Sequence, residues 1–189
     1  MLPNTGITAH SAENSEQHNM KRKKASLDAK DFNILRELQR NSNLTNAELA
    51  SRVRLSPSPC LARVRSLQEQ GVITRYVALL DAQKVGLSVS VFIQVSLEKQ
   101  VESALENFEA AMNRYSEVME CYLMTGDSDY LIRVVVEDVQ ALQRFIVQNL
   151  TKIRGVANIR SSFTLKQVKY STALPLRATL RNEGLTRGG

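Results

Sequence analysis

Residues 55–71 read L-S-P-S-P-C-L-A-R-V-R-S-L-Q-E-Q-G, with two prolines at the mouth of a segment that otherwise has helical apolar spacing. Proline is tolerated in a first helical turn, because those N–H groups have no intrahelical partner. Ser56 therefore suits the N-cap, Pro57 falls at N1 and Pro59 at N3, and Gly71 supplies the C-terminal stop. Cys60, Leu61, Val64 and Leu67 form one apolar stripe; Ser58, Ala62, Arg65 and Ser66 fall on the other side, with Arg63 on its flank. A short helix with a rigidly placed start and outward hydroxyl and guanidinium groups fits a reader of nucleic acid. An ordinary surface helix with two solvated arginines fits it equally well, so the neighbours decide.

Upstream, L-D-A-K-D-F-N-I-L-R-E-L opens a helix with Asp28 as cap, Leu27 and Phe32 at staple spacing, and Ile34, Leu35 and Leu38 as its buried face. T-N-A-E-L-A-S-R-V follows, with Thr45 and Glu48 at capping-box spacing and Leu49 and Val53 on one side. Only R-L-S separates it from the proline-capped helix, so the three helices read as a helix-turn-helix. I-T-R-Y-V-A-L-L-D, from residue 73, reads as a strand by its β-branched and aromatic content.

The second half changes period. In S-V-S-V-F-I-Q-V-S-L (88–97), Val89, Val91, Ile93, Val95 and Leu97 alternate onto one face. Val101, Leu105, Phe108 and Met112 form a helical stripe; Val139, Leu142, Ile146 and Leu150 form another, capped by Asp138. Strands at 117–124 and 130–136 flank a hairpin-length loop, and a long strand closes 156–170. The order β-α-β-β-α-β is the ferredoxin-like arrangement, so the fold class is α+β. One sheet face lies under the two helices, and the other presents Phe92, Tyr122 and Met124, which calls for cover by a second copy. The expected organisation is a basic tail at 1–26, a helix-turn-helix domain at 27–72, strand and linker at 73–87, a ferredoxin-like domain at 88–170 and a flexible tail at 171–189.

Charge divides the same way. Residues 1–80 hold twelve Lys and Arg against seven Asp and Glu, whereas the remainder is nearly balanced. A basic front half suggests a polyanion-binding module. The run K-R-K-K at 21–24 reads as an import signal, a phosphate-binding arm or a solvated tail. No apolar run spans a bilayer and no apolar signal segment opens the chain, which points to the cytoplasm. Cys60 and Cys121 have no C-x-x-C spacing and no nearby histidine, so both read as buried reduced thiols; no metal site or cofactor is expected.

In the loop Thr125-Gly126-Asp127-Ser128-Asp129, Gly126 allows close backbone approach and leaves N–H groups for a carboxylate, while Asp127 or Asp129 suits an ammonium. Leu123 and Met124 add adaptable apolar surface beside it, matching a small apolar amino acid such as leucine or methionine. The duller reading, a plain turn, fits the same residues.

Together, L-D-x-x-D-x-x-I-L, L-S-x-x-P-C-L-x-R-V-x-x-L and G-D-x-D-Y, in this order, resemble the Lrp/AsnC (feast/famine) transcriptional regulators over about residues 27–176, the leucine-responsive branch most closely. The resemblance implies a winged-type helix-turn-helix whose third helix enters the major groove of double-stranded DNA, with a contact region from Asn46 to Arg65 that takes in Arg54, Ser56, Ser58, Arg63 and, just beyond, Ser66. It implies a C-terminal effector and oligomerisation domain, amino-acid effectors bound near residues 123–130, Tyr130 included, and dimers that build octamers on the bacterial nucleoid. Where the family has glycine in the turn, this chain has Arg54, which carries a steric cost if φ is positive there. Two other classes stay open: an effector-independent DNA-packaging protein, and a regulatory subunit of an amino-acid-metabolising enzyme. Against an enzyme, both histidines, His10 and His18, lie in the polar tail, and no nucleophile–base set or phosphate-binding loop appears.

Overall fold

The computed structural model describes residues 26–176, in two compact units: 77–170, and the segments on either side of it. The K-R-K-K run, both histidines and residues 177–189 lie outside the described residues.

The first unit is three helices, α1 Ala29–Arg40, α2 Asn46–Val53 and α3 Pro57–Glu69. Full capping boxes start the first two: Asp28 pairs with Asp31, and Thr45 with Glu48, each side chain reaching the other residue's backbone N–H. Ile34, Leu35, Leu49, Ala50, Val53, Cys60 and Leu67 form its buried core. Leu61 does not belong to that core; one position past Cys60 it is rotated outward and is 38% exposed. Helix α3 ends in a Schellman motif, with Val72 N–H on Leu67 O, Gly71 N–H on Gln68 O, and Gly71 at φ +68°. Residues 73–81 form no strand, because nothing within the described chain offers their backbone a pairing partner.

The second unit contains β1 Val89–Leu97, α4 Glu102–Met112, β2 Val118–Leu123, β3 Tyr130–Val136, α5 Val139–Gln148 and β4 Val156–Phe163, with short 3₁₀ turns at Gln83–Val85 and Leu150–Lys152. The sheet order is β2-β3-β1-β4 with antiparallel neighbours, the split βαβ topology. Alternation decides burial: Val91, Ile93 and Val95 of β1, with Ile132 and Val134 of β3, are fully enclosed beneath Phe108, Met112, Leu142 and Phe145.

Three expectations change here. The last strand stops at Phe163, because β1, its only partner, begins at Val89 and the β1–β4 register runs out there. Val101 and Val139 sit at helix starts and are exposed, while Phe145 takes the core position. The open sheet face is mixed rather than apolar, since Phe92 lies beside Arg133, which bonds Glu120. No described helix is long and apolar enough to cross a membrane.

Candidate functional sites

In the helical unit, the start of α3 is the exposed polar feature. Ser56 occupies the N-cap position but makes no side-chain cap bond, and with Ser58, Ala62 and Arg65 it faces solvent. Pro57 and Pro59 carry no N–H and the Cys60 N–H bonds Ser56 O, so the first turn presents one free N–H, that of Ser58, beside two outward hydroxyls, a small donor set suited to a phosphate oxygen. Arg54 terminates α2 at φ 54°, ψ 56°, the only non-glycine residue with positive φ among those described. Its side chain is exposed, so a cationic group stands at the turn where the backbone favours glycine.

The remaining sequence-derived contact residues are engaged inside the fold. Arg63 Nη1 donates to Asp28 Oδ2 at 2.7 Å and to Asp31 Oδ1 at 2.8 Å, so one guanidinium fastens α3 to the capping box of α1. Asn46 Nδ2 donates to Pro57 O at 2.8 Å, joining the starts of α2 and α3, and Ser66 Oγ accepts from Gln70. Lys30, which sequence reasoning missed, donates its ammonium to Val53 O and Arg54 O and so closes the end of α2. Glu37 takes both Arg40 and Arg52. Arg54, Arg65 and Arg75 are then the exposed cations of this unit that no described carboxylate neutralises.

Burial pushes the Asp28 carboxyl up, but the Asp31 N–H and the Arg63 guanidinium outweigh it and hold it below its ordinary value. Glu48 is also held low, by the Thr45 hydroxyl and N–H.

In the sheet unit, the loop after β2 separates into two halves. Leu123, Met124, Thr125, Gly126 and Asp127 are exposed and Ser128 is half-buried, with Gly126 at φ 122°. Asp129, by contrast, is 6% exposed and consumed by its own chain. Its Oδ2 accepts from Leu97 N–H at 2.6 Å, its Oδ1 from the Gln100 amide, and its backbone bonds Val95 O and Met124 N–H. The β1–β3 ladder ends at the Val95–Tyr130 pair, so Leu97 has no β3 carbonyl opposite it; the Asp129 carboxylate supplies the missing acceptor. Tyr130 is likewise internal. It is 1% exposed, stacks 4.4 Å from Phe108 and donates to Glu109 at 2.8 Å; burial, then Glu109, pushes its phenol well up. Asp127 is therefore the loop carboxylate that faces outward.

Cys60 is buried as expected, but Cys121 is exposed on edge strand β2, because no strand covers its outer side. Its thiol is nevertheless pushed up to about 11, first by partial burial and then by Glu109. No group of three potential metal ligands occurs among the described residues. The Glu120–Arg133 pair and Gln100 also escaped sequence reasoning: the first needs the strand register, the second a partner 29 residues away.

Comparison with known proteins follows this geometry closely. A family model described as the Lrp/AsnC ligand binding domain matches residues 90–174, and one described as winged helix-turn-helix DNA-binding matches residues 27–74. The Bkd operon transcriptional regulator of Pseudomonas aeruginosa is 46% identical over 152 residues, 80% of this chain and 99% of that protein. The leucine-responsive regulatory protein of Salmonella typhimurium is 39% identical, over 83% of this chain and 96% of its own. Among solved structures, a Neisseria meningitidis transcriptional regulator in complex with L-methionine superposes with TM-score 0.76 at 41% identity, covering 79% of this chain and 97% of that one. An AsnC family regulator from Agrobacterium tumefaciens gives TM-score 0.75 at 42% identity, with the same coverage.

Proposed function

The chain belongs to the Lrp/AsnC family of transcriptional regulators, and from that premise we propose how its residues share the work. It is a DNA-binding transcriptional regulator with an amino-acid-binding domain. In our reading, α3 enters the major groove, with Arg65 and Ser58 toward base edges and Ser56 and Arg54 toward phosphates. Arg63, Asn46 and Ser66 hold the reading helix in place rather than reading. The operator is a pseudo-palindrome with half-sites about one helical turn (~10 bp) apart, as a symmetric dimer requires.

The effector is an apolar amino acid of the methionine or leucine kind, held by the 123–128 loop. Asp127 pairs its ammonium, while N–H groups around Gly126 take its carboxylate. Asp129 keeps that loop in shape. The observation that carries this assignment is the split within the loop itself: Asp127 is exposed, while both carboxylate oxygens of Asp129 are already engaged. The methionine complex of the Neisseria relative supports the choice of ligand.

Association follows from exposed apolar surface. Tyr76, Val77, Leu79 and Leu80 of the linker, with Phe92 and Tyr122 of the sheet, are each at least 36% exposed in one chain. We assign them to a dimer contact, with octamers built from four such dimers above it, in a cytoplasmic, nucleoid-associated and non-enzymatic protein. Calorimetric titration with L-methionine and L-leucine tests the effector site: Asp127→Ala should abolish binding that the wild type shows, and unchanged binding removes the loop from the site. A wild type that binds neither, with operator affinity indifferent to both, favours the packaging alternative. On DNA, Arg65→Ala should cost roughly 1–3 kcal/mol at the operator; undiminished affinity removes Arg65 from the reading set.

A further inference from the structure

After β4 the chain runs uncovered: Leu165 is 98% exposed, Val168 87% and Tyr170 61%. Four residues later it is held firmly. The Gln39 side chain of α1 grips the backbone of Leu174 at both ends, its Oε1 accepting from Leu174 N–H at 2.6 Å and its Nε2 donating to Leu174 O at 3.3 Å. One Gln amide thus reproduces the two-point pairing that a neighbouring strand would give. Leu176 N–H bonds Leu174 O at 2.8 Å, a three-residue turn centred on Pro175, whose ring fixes φ. That turn brings Leu176 against the helical core, where it is half-buried, and Arg36 Nη2 donates to its carbonyl at 3.3 Å.

We propose that residues 174–176 are a clasp on α1, through which the amino-acid-binding unit is tied to the DNA-binding unit at both of its ends, and that this second tie carries ligand state to the helix-turn-helix. The carrying role rests on the effector reading above; the clasp itself does not. Chain topology supports it, since the helical unit is built from 26–76 together with 171–176 among the described residues, while 77–170 forms the other unit. The two matching family models end at residues 74 and 174, so neither accounts for Leu176 in the helical core. A floppy tail would leave a leucine in solvent. Here two side chains of one helix face and a proline-centred turn specify where it docks.

The test uses the full chain carrying Gln39→Ala or Leu176→Ser, read by hydrogen exchange and by operator binding with and without L-methionine. Amides in the last turn of α1 should exchange on the order of tenfold faster in Leu176→Ser, while β1 and β3 keep their protection. Alanine is the better helix former, so faster exchange in Gln39→Ala cannot come from lost propensity. Both variants should bind methionine as the wild type does, yet lose most of its effect on operator affinity. Unchanged α1 exchange in both variants overturns the clasp. Faster exchange with a full methionine response overturns its carrying role. If the wild type itself ignores methionine, the effector reading falls, and exchange alone then decides the clasp.

Discussion

The two units of this protein solve the problem of holding a shape in different currencies of interaction. The sheet unit encloses fourteen apolar residues, while the helical unit encloses seven. The smaller core leaves more to polar contacts: two capping boxes, the Lys30 ammonium over the end of α2, the Arg63 pair with Asp28 and Asp31, and the Asn46–Pro57 bond. The sheet unit buries one charged side chain among the described residues, Asp129, and satisfies it on both oxygens. Small helical domains bury a limited share of their surface, so capping and ion pairing matter more to them. A buried carboxylate inside a large apolar core is a single point of failure, whereas dispersed surface contacts fail gradually.

That contrast sets the order of expected effects. Asp129→Ala should be the most damaging, costing about 3 kcal/mol in thermal or denaturant unfolding, because Leu97 N–H and the Gln100 amide lose their acceptor. The sequence offers Asp129 as a partner for an ammonium; with both its oxygens taken by Leu97 and Gln100, the structure makes this a fold substitution. Asp129→Asn keeps an acceptor for Leu97 and should recover much of the loss. An Asp129→Ala protein as stable as wild type would erase the contrast.

Arg63→Ala should cost the helical unit about 1 kcal/mol, discounted because the Arg63 side chain is 35% exposed. It also bears on acid stability. The Asp28 carboxyl is held below its ordinary value, so its contribution is present at neutral pH and disappears as pH falls through that lowered value. Urea unfolding at pH 7 and pH 3 should show a smaller gap for Arg63→Ala than for wild type. An equal gap would assign the acid sensitivity elsewhere.

Arg54→Gly should shift stability the other way, adding roughly 0.5–1 kcal/mol by relieving a left-handed arginine. The same change removes an exposed cation, so operator affinity should fall and its salt dependence flatten. Stability gained with DNA binding untouched would show that Arg54 is only a strained turn residue. The smallest effect is chemical. Cys121 is exposed, yet a thiol pushed up to about 11 is almost wholly protonated at pH 8, so alkylation there should be slow and accelerate toward pH 11. Rapid labelling at pH 8 would mean that Glu109 and partial burial do not govern the thiol.

Much of the fold could be read before any coordinates. Asp28, Thr45 and Asp138 cap the helices they precede, Pro57 opens α3, and the period-two run from Val89 to Leu97 forms the central strand with its apolar side buried. Local overreach appeared where one residue of a stripe lay at an element's end, as with Val101 and Val139, or one step off it, as with Leu61. The strand expected at 73–81 failed for another reason: β-propensity describes a half-buried pleated surface, and one chain offers that segment no ladder to join.

The candidate sites divide along the same line. Exposure of Ser56, Ser58 and Arg65 follows from helical spacing, and the open half of the 123–128 loop from its glycine and polar content. Which charged residues remain available to a ligand does not. Arg63 is taken by partners 35 and 32 residues upstream, Asp129 by partners 32 and 29 residues upstream, and Leu174 by a glutamine 135 residues away. Caps, periods and proline positions act within one or two turns of chain, so the sequence by itself determined the elements and their order. Whether a carboxylate or guanidinium meets a ligand or another part of its own chain depends on packing between segments distant in sequence, and only the tertiary structure decided that.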